Sequence, residues 1–424
     1  MQEQIEIRPV GAFRPITIRP PGSKSITNRA LVCAALADGV SLLKGALDSE
    51  DTQVMASALD QLGIRQSRDL VANTIEVHGC GGRIPATQAE LYVANSGTTV
   101  RFLAALAALG HGEFRLDGSP RMRERPIQDL LDGLNDLGSD ARSERNTGCP
   151  PVRVRAAGLR GGQASVRGDI SSQFLSALLM AAPYAAKPVE LTVVGELVSK
   201  PYITATLSVM EAFGVHVDAE RLDRFTAASA IYRAREYDIE PDASAASYFF
   251  GAAAIAGSEI TVTGLSRDSL QGDVAFVELL ERMGCRLRYG ANEISVVGDP
   301  LRGIHVDMNA ISDTVQTLAA VALFAEGPTT ITGVAHIRHK ETDRISALAT
   351  ELRKLGAEVE ERQDGLTITP RPLHGAVLDT YQDHRMAMSL ALVGLRISGV
   401  VINDPACTGK TYPGFFKDLE KLAP

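Results

Sequence analysis

Pro21-Gly22-Ser23-Lys24-Ser25-Ile26-Thr27-Asn28-Arg29 runs directly into the apolar stretch Ala30-Leu31-Val32-Cys33-Ala34-Ala35-Leu36-Ala37, which Asp38-Gly39 closes. A Gly-Ser opening before a long apolar run predicts a helix start, with side-chain oxygens to cap the free N–H groups. Lys24 and Arg29 beside the positive end of the helix dipole make that start an anion trap. One such cap with a nearby Lys is ordinary; recurrence changes its weight. Polar or small residues leading into an almost wholly apolar helix return at Asn95-Ser96-Gly97-Thr98-Thr99, Asp169-Ile170-Ser171-Ser172-Gln173, Asp242-Ala243-Ser244, Asp313-Thr314 and Asp383-His384-Arg385. The pattern is present six times.

A second helix type alternates with the first. Residues Asp51 to Leu62 place Val54, Met55, Ala58, Leu59 and Leu62 on one face, the pattern of a helix lying on a surface. Gly63 follows as its C′ residue, and Leu137-Gly138, Phe213-Gly214, Met283-Gly284 and Leu355-Gly356 repeat that ending about 70 to 76 residues apart. Strand-like runs such as Glu259-Ile260-Thr261-Val262-Thr263 and Val400-Val401-Ile402-Asn403 lie between. A fixed long period signals an internally repeated architecture. The expectation is an α/β (α+β) fold of six repeated units, each with strands, one buried helix and one surface helix. With three units per lobe, the buried helices sit at the centre and the sheets around them, an inside-out barrel in two lobes. Pro-containing breaks near Arg19-Pro20-Pro21 and Tyr237 to Asp242 mark the crossovers. Residues 1–20 plus 241–424 then form one discontinuous lobe and 21–240 the other, with six helix N-termini facing one cleft.

Composition narrows the function. The 424 residues exceed what one core usually fills, and 45% hydrophobic with 22% charged residues is ordinary globular composition. A net charge of −8 and an aromatic content of 5% with no Trp argue against nucleic acid or an anionic membrane as partner. No signal peptide pattern or membrane span is read, and the five scattered cysteines lack metal or disulfide spacing, so a reducing cytoplasm is expected. His336 and His339 read as loop residues, and no metal or other cofactor is expected. Gly22-Ser23-Lys24-Ser25 lacks the order of a P-loop.

Chemistry-bearing residues concentrate at the helix starts and in the loops after strands. The cations are Lys24, Arg29, Arg101, Arg125, Lys200, Lys340, Arg344, Arg385 and Lys410; the carboxylates are Asp51, Asp242, Asp313, Glu341, Asp343 and Asp383. Ser25, Asn95, Thr98, Ser171, Ser172, Gln173 and Ser199 add short hydroxyl and amide groups. Arg forks suit carboxylate and phosphate oxygens, and Lys acts as a point charge. Arg385 opens an apolar helix where the dipole disfavours a cation, which predicts an anionic ligand there.

With Asn95-Ser96-Gly97-Thr98, Arg121 to Pro126, Ser171 to Phe174, Ser199-Lys200-Pro201-Tyr202, Lys340 to Arg344, Asp383 to Ala387 and Lys410 to Pro413 added to the opening stretch, the chain resembles the enolpyruvylshikimate-phosphate synthase family. The motifs stand in family order over nearly the whole chain. The resemblance implies transfer of an enolpyruvyl group from phosphoenolpyruvate to the 5-hydroxyl of shikimate 3-phosphate, without metal or organic cofactor, in two lobes that close on substrate. It also implies that Lys24, Gly97, Arg125, Gln173, Arg344, Arg385 and Lys410 form the phosphoenolpyruvate pocket. Lys24, Ser25, Arg29, Ser171, Ser172, Gln173, Ser199, Tyr202, Asp313, His336 and Lys340 would form the shikimate-phosphate pocket. Asp313 near the hydroxyl and Glu341 near the methylene carbon are the expected acid–base pair, with Lys24 able to take part. Two departures stand out: His336 where many relatives have Asn, and Phe102 after Arg101 where Pro is frequent. The rival readings are a UDP-N-acetylglucosamine enolpyruvyl transferase and a non-catalytic anion-binding or RNA-binding relative of the same fold. A monomer is expected.

Overall fold

Side-chain oxygens set where the inner helices begin. The computed structural model describes residues 3–423. Its α-helices are α1 (Lys24–Leu36), α2 (Glu50–Gln61), α3 (Gly97–Ala107), α4 (Gln128–Asp136), α5 (Ser172–Ala181), α6 (Lys200–Ala212), α7 (Ala243–Ala256), α8 (Phe276–Met283), α9 (Val315–Ala322), α10 (Arg344–Lys354), α11 (His384–Gly394) and α12 (Phe415–Glu420). Ser23, Ser96, Ser171, Asp242 and Asp383 each accept a first-turn backbone N–H at the head of α1, α3, α5, α7 and α11. Those helices and α9 are buried along almost their whole length, and nearly all their polar side chains stand in the first two turns. By contrast α2, α4, α8 and α10 bury one face. The apolar run after Ser171 does not continue as one helix: α5 ends at Ala181 and a 3₁₀ turn, Ala182–Tyr184, follows, because Pro183 has no N–H to continue the ladder.

The sheets repeat one topology. Gln88–Tyr92 runs parallel to His111–Asp117, which pairs antiparallel with Val152–Ala157, which pairs antiparallel with Asp140–Ser143. Their register sets Leu91 opposite Leu116 and Phe114 opposite Val154, all buried. The same parallel, antiparallel, antiparallel order recurs around Asp38–Lys44, Val189–Val194, Glu259–Thr263 and Thr329–Thr332. The sixth sheet has three strands, in which Gln4–Ile7 takes the antiparallel place beside Val400–Asn403. The expected six strand-and-helix units are thus present.

The chain divides into two compact units, Met1–Pro21 with Glu240–Pro424, and Gly22–Ile239. Each has its own hydrophobic core built from its inner helices and the inward faces of its sheets. Two strands are exchanged along the chain. Ile16–Ile18 leads into α1 but pairs with Glu259–Thr263, whereas Glu236–Asp238 leads into α7 but pairs with Asp38–Lys44. No helix among the described residues is long and apolar enough to cross a membrane.

The start of α1 is fastened to the turn after the strand Asp38–Lys44. Leu47 N–H donates to Thr27 Oγ1 at 3.2 Å, and a Cβ on Gly22 would lie 1.9 Å from the Gly45 carbonyl oxygen. Backbone meets backbone there, so nothing flexible can yield. Gly22→Ala is predicted to lower stability by about 1–3 kcal/mol, read as a lower urea midpoint; an unchanged midpoint would contradict the close approach.

Candidate active site

In the Gly22–Ile239 unit the heads of α1, α3, α5 and α6 are joined through two arginines. Arg29 is 2% exposed. Its Nε donates to Thr206 Oγ1 at 2.7 Å, Nη1 to the Ser25 carbonyl at 3.0 Å, and Nη2 to Ser176 Oγ at 3.3 Å and the Tyr202 carbonyl at 3.2 Å. These acceptors are neutral, and the rings of Phe102 and Tyr202 stand 5.4 and 5.7 Å from the guanidinium. Burial pulls its pKa down to about 10, still cationic. Arg101 donates to Gln173 Oε1 at 2.8 Å and to the carbonyls of Gly97 and Pro126, while Gln173 Nε2 donates to Thr98 Oγ1 at 3.1 Å. Gln173 is thereby held by both ends of its amide. Arg125 is anchored on Asn95, through the carbonyl at 2.9 Å and the side-chain oxygen at 3.3 Å.

Gly97 is where these groups crowd. A Cβ there would lie 2.3 Å from Arg125 Nη2 and 2.6 Å from Arg101 Nη1, so two guanidinium groups approach a bare backbone at a helix N-terminus. Lys24 Nζ lies 3.5 Å from Asp51 Oδ2, both buried, with Asp51 in the first turn of α2 where a carboxylate is favoured. Ser199 is buried in left-handed backbone, φ 53 and ψ 44, ahead of Lys200-Pro201. Such strain in a non-glycine residue is typical of sites whose surroundings over-determine the backbone.

In the other unit the cations and carboxylates interlock. Arg344, 1% exposed, donates Nε to Asp383 Oδ2 at 2.8 Å, Nη2 to Glu341 Oε2 at 2.9 Å and to Asp383 Oδ1 at 3.2 Å, and Nη1 to Asp313 Oδ1 at 3.2 Å. Burial would lower its pKa, and Asp383, Glu341 and Asp313 together raise it above the usual value. Asp313 also accepts from Lys340 Nζ at 3.2 Å and from Arg385 Nη2 at 2.8 Å. Burial pulls the Lys340 ammonium down, against the pull of Asp313. Arg385 Nη1 reaches the Tyr248 hydroxyl at 3.3 Å. Asp273, buried, accepts from Ser244 Oγ at the head of α7, and burial, then the charge of Asp313, push its pKa up to about 6. Lys410 is buried in the 3₁₀ turn Pro405–Lys410.

The structure brings the expected residues together in two sets. Lys24, Ser25, Arg29, Gly97, Arg125, Ser171, Ser172, Gln173, Ser199 and Tyr202 belong to one unit, and Asp313, His336, Lys340, Glu341, Arg344, Arg385 and Lys410 to the other. Ser171 is committed to capping α5, accepting Gln173 N–H at 3.3 Å. At Arg385, where an anionic ligand is expected, the carboxylate of Asp313 faces the guanidinium at 2.8 Å. Sequence reading passed over Asp383 as a partner of Arg344, Thr206 and Ser176 as partners of Arg29, and Arg101 as the holder of Gln173. Asp383 reads as a helix cap, and Thr206 and Ser176 as polar interruptions in apolar helices. Their second roles are contacts across 39, 177 and 147 residues, which no local pattern encodes. Among the described residues no group of three or more His, Cys, Asp or Glu side chains could hold a metal ion.

Comparison with known proteins gives a consistent set of matches. The family model described as EPSP synthase (3-phosphoshikimate 1-carboxyvinyltransferase) matches residues 15–419. A 3-phosphoshikimate 1-carboxyvinyltransferase from Nostoc punctiforme is 50% identical over 411 residues, 96% of each chain. One of the same name from Trichormus variabilis is 48% identical over 417 residues, 98% of this chain and 97% of its own. Among solved structures, EPSP synthase from Acinetobacter baumannii matches with a TM-score of 0.83 at 25% identity, covering 100% of this chain and 98% of that one. The enolpyruvyl transferase NikO from Streptomyces tendae shares the fold, with a TM-score of 0.81 at 21% identity over 100% and 98% of the two chains.

Two imidazoles among these residues are neutral by construction. His336 Nε2 lies 2.9 Å from Ser312 Oγ, and burial, then the Lys340 ammonium, pull its pKa down to about 3. His384, the first residue of α11, is pushed well below its usual value by burial and by Arg385. His336 can share a hydrogen bond with a substrate but adds no charge. An unfolded chain protonates this imidazole near 6.5 and the folded one only near 3, so the unfolded state binds more protons in between. That contribution to stability is intact above pH 6.5 and lost as pH falls towards 3. His336→Asn is predicted to show a shallower loss of urea midpoint over that interval than the native protein; equal slopes would contradict a buried neutral imidazole.

Proposed function

The chain belongs to the EPSP synthase (3-phosphoshikimate 1-carboxyvinyltransferase) family, and from that premise we propose how its residues divide the work of transferring an enolpyruvyl group to shikimate 3-phosphate. The reaction moves the carboxyvinyl group of phosphoenolpyruvate onto the 5-hydroxyl and releases phosphate, a step of the shikimate route to aromatic amino acids. Each substrate brings a phosphate and a carboxylate, so four anionic groups must be neutralised.

One unit supplies receptors. Arg29, with neutral partners only, is a buried cation suited to an incoming anionic group. Ser25, Ser171, Ser172, Ser199 and Tyr202 add hydroxyl donors for shikimate 3-phosphate, and Gly97, Arg125, Gln173 and Lys24 cradle phosphoenolpyruvate. The other unit supplies acid, base and further cations. Asp313 takes the proton from the attacking hydroxyl and Glu341 delivers one to the methylene carbon, forming a tetrahedral ketal phosphate; elimination of phosphate reverses the protonation at that carbon. The observation that carries this reading is the convergence of Lys340, Arg344 and Arg385 on Asp313. Substrate anions compete for the same three cations, so their arrival loosens Asp313 from its partners as the hydroxyl reaches it. The reaction then proceeds with water excluded. Monomeric, cytoplasmic operation belongs to the same proposal. Its supports are five free cysteines and large exposed apolar side chains, such as Val71, Ile231 and Val377, that come from separate stretches of the chain.

The purified protein, with chelator present, is predicted to release phosphate from phosphoenolpyruvate when shikimate 3-phosphate is the acceptor and not when UDP-N-acetylglucosamine is. Turnover with the nucleotide sugar, or with neither acceptor, would overturn the reading. Asp313→Ala and Glu341→Gln are each expected to lower kcat by about 10²–10⁴-fold; a loss confined to KM would remove their acid–base roles. Glyphosate is predicted to compete with phosphoenolpyruvate. Gly97→Ala should raise both the KM for phosphoenolpyruvate and the glyphosate inhibition constant, because its Cβ displaces Arg125 and Arg101. Unchanged constants would show that the inhibitor binds elsewhere.

A further inference from the structure

Tyr381 and Gln382, consecutive residues just before α11, both hold left-handed backbone, φ 55 and 56. Residues with a Cβ stay in that region only where the surroundings impose it. The imposing contacts come from Glu351 on α10, a carboxylate with 0% exposure. Its Oε1 accepts the Tyr381 hydroxyl at 2.6 Å and its Oε2 accepts the Asp379 backbone N–H at 2.9 Å. Lys354 Nζ lies 2.9 Å from Glu351 Oε2 and 2.7 Å from Asp379 Oδ2, and Asn403 Nδ2 donates to Asp379 Oδ1 at 2.6 Å.

The segment is therefore held on the near side by Asp379 and within the left-handed pair by Tyr381. On the far side Asp383 N–H closes the turn onto the Thr380 carbonyl at 2.8 Å. What leaves the turn is the Asp383 carboxylate, fully buried, spanning Arg344 Nε and Nη2 and capping the N–H of Arg385 at 2.9 Å. Asp383 thus fixes the Arg344 side chain from one side and the backbone of Arg385, and it leaves a turn in left-handed backbone. A buried carboxylate is expensive unless fully hydrogen-bonded, and Glu351 meets that condition largely through this turn.

We propose that Glu351 is a positioning residue for the phosphoenolpyruvate-binding cations: it holds the left-handed Tyr381-Gln382 pair, which places Asp383, which sets Arg344 and Arg385. The inference rests on the assignment of Arg344 and Arg385 to phosphoenolpyruvate made above. A role confined to folding lowers stability and leaves the affinities for both substrates alone; positioning acts on one substrate selectively.

The test compares Michaelis constants for the two substrates in Tyr381→Phe and Glu351→Gln. Tyr381 is 41% exposed, so loss of its hydroxyl leaves packing intact and carries the test even if Glu351→Gln does not fold. The expected result for Tyr381→Phe is a KM for phosphoenolpyruvate raised about five-fold, the size of one hydrogen bond, with the KM for shikimate 3-phosphate and kcat within about two-fold. Glu351→Gln moves the same constant further in the same direction. Ile294→Val, a core change in the same unit, should lower the melting temperature without moving either constant. Both constants unchanged in Tyr381→Phe, both raised together, or a fall in kcat alone would overturn the positioning role while the native turnover stands. A native protein without turnover on the two substrates would instead remove the underlying assignment, and the proposal with it.

Discussion

A guanidinium buried in an apolar interior has to have its donors met, and at Arg344 this chain meets them with three carboxylates. Glu341, Asp313 and Asp383 reach it from the turn before α10, the turn before α9 and the head of α11, so three stretches of chain are registered against one side chain. Remove the charge and three carboxylates lose the reason for their proximity. The acid–base pair assigned to the reaction is drawn from the same three, which makes the ion network and the chemistry one object. Elsewhere the chain solves the same problem in the opposite way. Arg29 is just as buried, yet hydroxyls, carbonyls and two aromatic rings surround it, with no carboxylate among its hydrogen-bond partners.

The repeated architecture explains why so many polar groups can gather without spoiling the cores. An inner helix such as α7 is buried on every face, so most of its length belongs to packing and only its opening turns, through Ser244, Ser247 and Tyr248, make polar contacts. Six such turns, each begun by a capping or hydroxyl-bearing residue, concentrate donors and charges in short stretches while the rest of each helix excludes water. Glycine at position 97 extends this economy, because the absent Cβ is what lets Arg101 and Arg125 approach the helix start together.

Much of this was legible in the residues. Caps at Ser23, Ser96 and Asp242, the apolar runs behind them and the one-faced pattern of α2 are local signals, and the helices form where those signals put them. What escaped is what depends on distant partners. Nothing near Tyr381 announces a left-handed pair, since no glycine or asparagine marks it; the cause is a carboxylate thirty residues earlier. Asp383 shows its capping role in sequence and hides its ion pair. The shorter sixth sheet is equally silent, because its third strand comes from the opposite end of the chain.

The exchanged strands carry a consequence for how such a chain is made. During synthesis from the amino end, Gly22–Ile239 is complete once its closing strand Glu236–Asp238 has been translated, and that unit can fold at once. Ile16–Ile18, translated long before, has its partner in Glu259–Thr263, and Gln4–Ile7 waits for Val400–Asn403. Both strands are thus translated well before the strands they pair with. For most of translation they are unpaired β-edges of the kind that holdase chaperones cover.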